Sequence, residues 1–134
     1  MPMRAVLSSR PTANPVTYSE PVAQCVVYCY ASAEACIVCA DACLADSAVE
    51  DLRQCIRRAL DCADICSTVA AIASRRTGDN LSVVRAMMKA CALACHVCAE
   101  ECWQHGELHE HCRICAEACK DCEDACRAAL SMVH

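Results

Sequence analysis

With 134 residues, a mass of 14.4 kDa and a formal charge of -5, the chain has the length of one domain with one sizeable core. Cysteine occurs 17 times, tryptophan once and phenylalanine not at all, so thiols must fill volume that Leu, Ile, Val and Phe ordinarily occupy. The acidic balance and the lack of a basic stripe argue against a nucleic-acid partner.

An odd number of cysteines cannot pair completely within one chain. Residues 1–16 carry Arg4, Arg10, Pro2, Pro11 and Pro15, and the longest apolar run is Ala5-Val6-Leu7, too short for the apolar segment of an export signal. No apolar stretch is read as approaching membrane-spanning length, so no membrane partner is expected. These features favour a reduced, cytoplasmic thiol protein over a disulfide scaffold.

In chain order, residues 1–20 read as an N-terminal tail or packing arm, and residues 21–134 as a four-helix metal-binding bundle. Pro21 suits the first turn of a helix. Ser47 followed by Glu50 has the pattern of a capping box. Thr77-Gly78-Asp79-Asn80 reads as a turn, and Gly106 is placed to terminate a helix. Four alanine-rich segments follow, at about 21–46, 48–76, 80–105 and 108–131. Short links between them predict an all-α, antiparallel four-helix bundle with a cysteine-lined core.

The cysteines recur at alternating steps of three and four, which place side chains along one helical stripe. The first segment has Cys25, Cys29, Cys36, Cys39 and Cys43, with Ser32 at the skipped position. Cys55, Cys62 and Cys66 lie on the second, where the progression also takes in Ala59, Val69 and Ala73. The third carries Cys91, Cys95, Cys98 and Cys102 in phase with Val84 and Met88, and the fourth Cys112, Cys115, Cys119, Cys122 and Cys126. A single CxxC would be weak evidence, because buried cysteine is a common small hydrophobe. Four stripes in phase call for something to occupy a core that thiols fill poorly.

Thiolates select soft ions: copper(I), zinc or iron–sulfur clusters. Neither common iron–sulfur spacing occurs. Zinc wants four convergent ligands in a closed tetrahedron and remains the nearest alternative. Copper(I) accepts two or three thiolates, and shared thiolates would allow multiple ions per chain, approaching about one per cysteine. Each monovalent ion replaces one thiol proton, so the core stays nearly neutral. The expected function is stoichiometric binding, storage and buffering of copper(I), not catalysis. A thiol redox enzyme is the less favoured alternative, because the CxxC pairs lie inside long helices without a strand pattern.

Antiparallel topology gathers Cys43, Cys102 and Cys112 with His105, His109 and His111 at one pole, the expected mouth for metal. The other pole is hydrocarbon-rich, with Val69, Ala73, Leu81, Val84, Met88 and Val133. His96 should face away from the core, and Met88 reads as ordinary packing. A semi-apolar line through Val26, Tyr30, Ala33, Ile37 and Leu44 is compatible with a homo-oligomer.

The segments CIVCADAC, CALACHVCAEEC and CRICAEACKDCEDAC resemble the bacterial copper storage proteins over about residues 21–131. The resemblance, to the cytosolic branch in particular, implies a homotetramer that binds many copper(I) ions along the bundle interior. It implies a ligand role for each cysteine named above and a histidine-containing entrance near His105, His109 and His111. A copper chaperone is a possible delivery partner.

Overall fold

A computed structural model describes residues 2–11 and 19–133. Its described helices are α1 (Met3–Ser8), α2 (Glu20–Ala45), α3 (Arg53–Ala73), α4 (Leu81–Gln104) and α5 (Glu110–Leu130), with a 3-10 turn at Val49–Leu52 leading into α3. No strand occurs among the described residues. The four long helices form a closed ring in which α2 packs on α3 and α5, and α4 packs on the same two. Cys25 meets Cys126 and Cys43 meets Cys112, so α2 and α5 run antiparallel. Cys55 with Cys102 and Cys66 with Cys91 show the same for α3 and α4.

Local chemistry sets the boundaries. Ser19 caps α2 by accepting the Val22 N–H at 3.4 Å, Pro21 sits in the first turn, and Glu20 places negative charge at the positive end of the helix. The expected capping box at Ser47 and Glu50 does not form. Asp46 instead accepts the Ala48 N–H at 2.8 Å, and the chain takes the 3-10 turn before α3 starts at Arg53. Leu52, fully buried, anchors that turn in the core.

The 77–80 turn is present, and Asn80 holds the end of α3 by donating to the carbonyls of Ile72 and Arg75 at 3.2 and 3.0 Å. Gly106 follows the end of α4 without a left-handed conformation, since no described residue has positive φ. Its role is close approach: a Cβ there would stand 3.3 Å from the Arg113 Cβ.

Within the N-terminal segment, α1 lies against the pole where α2 begins and α3 ends. Leu7 is buried, Arg4 pairs with Glu20 at 2.8 Å, and Arg10 donates to the Ser74 carbonyl at 2.6 Å. Residues 12–18 lie outside the described part.

One sequence expectation needs correction. Two helices, α2 and α4, are long and apolar enough to cross a membrane by length and composition. Cysteine and alanine supply that character, and the cysteine stripe of each helix faces the bundle interior. The core is continuous from Leu52 at one pole to Val84, Met88 and Val133 at the other, with sulfur between.

Candidate metal centre

All 17 cysteines are free and buried, none more than 2% exposed. Alternating steps of three and four on straight helices turn each thiol inward, and the ring of helices aims four stripes at one axis. Thiols are short enough to meet across the diagonals as well as between neighbours. Cys29 on α2 reaches Cys91 on α4 at 3.7 Å, and Cys66 on α3 lies 4.0 Å from Cys122 on α5.

Toward the hydrocarbon pole, Cys25 stands 3.4 Å from Cys126, Cys122 donates to Cys29 at 3.6 Å, and Cys66 contacts Cys91 and Cys95 at 3.6 Å each. Midway, Cys36 meets Cys119 at 3.5 Å and receives a hydrogen bond from Cys115 at 3.7 Å. Toward the other pole, Cys55 and Cys102 approach to 3.1 Å and Cys43 lies 3.9 Å from Cys112.

Ligand atoms converge in groups whose members all lie within 4.8 Å of one another. Among them are Cys29/Cys91/Cys122/Cys126, Cys66/Cys91/Cys95/Cys122, Cys36/Cys98/Cys115/Cys119, Cys39/Cys102/Cys115 and Cys39/Cys43/His111/Cys112. The sharing matters: Cys91 and Cys122 each belong to two groups, as do Cys39 and Cys115. A structural zinc site closes its own tetrahedron of ligands. Sulfurs common to neighbouring groups suit bridging between soft monovalent ions, each needing fewer donors.

The three mouth histidines differ. His111 turns Nδ1 to three sulfurs, at 3.5 Å from Cys39, 3.8 Å from Cys43 and 3.6 Å from Cys112. Its Nε2 is buried without a hydrogen-bond partner, 3.7 Å from Asp46 Oδ2. His109 caps the start of α5 by position and pairs with Asp46 at 2.9 Å. His105 pairs with Glu101 at 3.1 Å. The structure therefore joins His111 to the sulfur column, and sets His109 and His105 against carboxylates beside it.

Asp46 is the neighbour that sequence reading missed. Its place at the end of α2, near a histidine-rich turn, was the available signal. The Ala48 N–H, then the adjacent histidines, hold its carboxyl below the usual range.

Protonation follows burial and neighbouring sulfur. Burial first, and negative charge at Cys39 second, push the Cys43 thiol up to about 11. Burial likewise raises Cys112, with charge at Cys55 adding to it. Cys36 moves the other way, down to about 6, led by the hydrogen bond it accepts from Cys115.

Other features sit outside this column. Met88 is fully buried at the hydrocarbon pole, as packing requires. His96 faces outward, 3.1 Å from Glu100 and 3.2 Å from the buried Glu123, which also pairs with Arg127 at 2.8 Å. It borders a surface hollow of about 350 Å³ between α4 and α5, where no cysteine contributes to the lining.

Known proteins share this pattern. Residues 18–131 match the family described as copper storage protein. A structure of the copper storage protein Ccsp from Streptomyces lividans, loaded with 10 copper equivalents, is 45% identical, with a TM-score of 0.91 over 96% of this chain and 98% of that one. The Cu(I)-bound copper storage protein BsCsp3 is 34% identical, with a TM-score of 0.68 over 82% of this chain and 95% of its own. YhjQ, a cysteine-rich protein of Bacillus subtilis, is 35% identical over 111 residues, spanning 83% of this chain and 94% of its own length. Buried thiols in shared groups, the four-helix ring and these likenesses converge: the chain belongs to the copper storage protein family.

Proposed function

We propose that the chain stores copper(I) as multinuclear thiolate clusters, with all 17 cysteines as ligands and several ions held at once. Storage and buffering of copper by cysteine thiolates is the function its family and its thiol clusters support, and no catalytic step is required. The observation that carries the multinuclear reading is the sharing of sulfurs between adjacent groups. The relative loaded with 10 copper equivalents supports the same reading.

Copper enters at the mouth, where His111 joins Cys39, Cys43 and Cys112. His109 and His105, with their carboxylate partners, line the approach. Thiols 3.1–4.0 Å apart would oxidise readily, which favours a reducing, cytoplasmic compartment. Exposed Ile37, Val38 and Leu44 on α2 favour a homo-oligomer, a tetramer by family likeness. A copper chaperone is the natural donor, because free copper(I) is scarce in such a compartment.

The test is an anaerobic copper(I) titration of fully reduced protein against a competing chromogenic chelator. Tight uptake of roughly ten or more ions per chain is expected if thiolates bridge. Saturation after a few ions, or loss of copper to a modest competitor, would move the case to zinc.

A further inference from the structure

Two histidines share one carboxylate at the mouth. Asp46 is the first residue beyond α2, with extended backbone (φ -77°, ψ 142°), and His109 precedes α5 with extended backbone too (φ -135°, ψ 105°). Because α2 and α5 run antiparallel, these two chain ends meet. The oxygens of Asp46 then divide between two tasks. Oδ1 accepts the Ala48 N–H at 2.8 Å and holds the turn. Oδ2 lies 2.9 Å from His109 Nδ1 and 3.7 Å from His111 Nε2.

His111 has a choice of tautomer. A neutral imidazole carries one N–H, and the partner of each nitrogen decides which one holds it. Nδ1 faces the sulfurs of Cys39, Cys43 and Cys112 at 3.5, 3.8 and 3.6 Å. Sulfur leaves the choice open, since a thiol donates to a bare nitrogen and a thiolate accepts from an N–H. On the other side of the ring, Nε2 is buried without a hydrogen-bond partner, and the group it faces is the Asp46 carboxylate. A carboxylate only accepts, so it settles what sulfur leaves open.

We infer that Asp46 is a positioning residue for His111: its Oδ2 keeps the imidazole proton on Nε2 and leaves Nδ1 bare toward Cys39, Cys43 and Cys112. This inference rests on the reading of His111 as a copper ligand and names what prepares it. Copper(I) forms its bond to Nδ1 with no proton leaving the ring. A metal on one nitrogen makes the other N–H a stronger donor, which draws Nε2 and Oδ2 together from 3.7 Å. His109 obeys the same oxygen in the opposite sense, donating from Nδ1.

The substitution that isolates this role is Asp46→Asn. The Ala48 N–H needs an acceptor, so the amide oxygen stays at the turn and the NH2 replaces Oδ2. A donor then faces Nε2, and the proton moves to Nδ1, where copper has to bind. Two-bond proton–nitrogen NMR of the imidazoles, on the reduced, copper-free chain at about pH 8, distinguishes the two tautomers. His111 should carry its proton on Nε2 in the wild-type chain and on Nδ1 in Asp46→Asn. In anaerobic chelator competition, Asp46→Asn should weaken the first copper(I) ions about tenfold, with capacity changed by no more than about one ion. In a His111→Ala background the same substitution should cost less than about twofold. Asp41→Asn makes the same charge change on the exposed face of α2 and should alter neither reading.

A wild-type His111 protonated on Nδ1, or an unchanged tautomer in Asp46→Asn, would overturn the inference, and both are read without copper. A tenfold loss that persists in the His111→Ala background would show Asp46 acting through the turn or through His109, and would overturn it as well. Uptake of only a few ions by the wild-type chain would remove the storage reading, and the copper role of His111 with it, whatever the imidazole spectrum shows.

Discussion

Loading copper into this core should release protons, between about a half and one per ion. Most of the thiols are pushed up: Cys43, at about 11, is ionised at neutral pH to about one part in ten thousand. Cys112 is raised in the same sense by burial. If neighbouring groups share sulfurs, each copper(I) brings one positive charge and displaces one proton, and the column remains near neutral. Cys36, drawn down to about 6, is already largely ionised, and hydrogen bonds from neighbouring thiols lower Cys39, Cys66, Cys95, Cys119 and Cys126 in the same sense, so the ratio falls below one.

The sign follows directly. A ligand that must lose a proton binds more weakly as pH falls, so apparent affinity should drop about tenfold, or about 1.4 kcal/mol per ion, for each unit of acidification below the raised thiol pKa. The assay is anaerobic copper(I) titration in lightly buffered solution at constant pH, counting the base needed to hold it. Fewer than about half a proton per ion would mean that thiolates exist before metal arrives, against the burial argument. A value near two would mean unshared thiolate pairs, each carrying net negative charge, and would refute the bridging scheme.

Two further outcomes follow from particular side chains. His111→Ala removes the nitrogen that faces Cys39, Cys43 and Cys112, and should weaken the first ions bound about tenfold in chelator competition while lowering total capacity by no more than about one ion; His96→Ala, on the outer face, should change neither. Met88→Ala empties a fully buried site at the hydrocarbon pole and should cost about 2–5 kcal/mol in urea unfolding of the reduced, copper-free protein, with a loss under about 1 kcal/mol showing that the pole packs loosely.

The steps of three and four between cysteines determined the helices, their inward faces and the sulfur core, because a helix converts spacing into direction without help from its neighbours. The hydrocarbon pole was legible for the same reason, through Val69, Ala73, Val84 and Met88. Helix starts were harder. Ser47 and Glu50 carry a capping pattern, but Asp46 took the Ala48 N–H and a 3-10 turn displaced the start of α3. The expectation that no stretch approaches membrane-spanning length failed at α2 and α4, where cysteine and alanine raise the mean hydropathy of a whole helix without one long unbroken apolar run.

Which histidine meets sulfur was decided by tertiary structure alone. His105, His109 and His111 are equivalent candidates in a list of letters, yet the turn before α5 points His111 into the column and gives His109 to Asp46. The surroundings of Ser32 have the same origin. Sequence shows a skipped position, but whether thiols on the other helices close the gap depends on how α3, α4 and α5 are staggered against α2. Spacing fixes direction within one helix; only packing sets the height at which four helices meet, and sulfur contacts of 3–4 Å depend on that height.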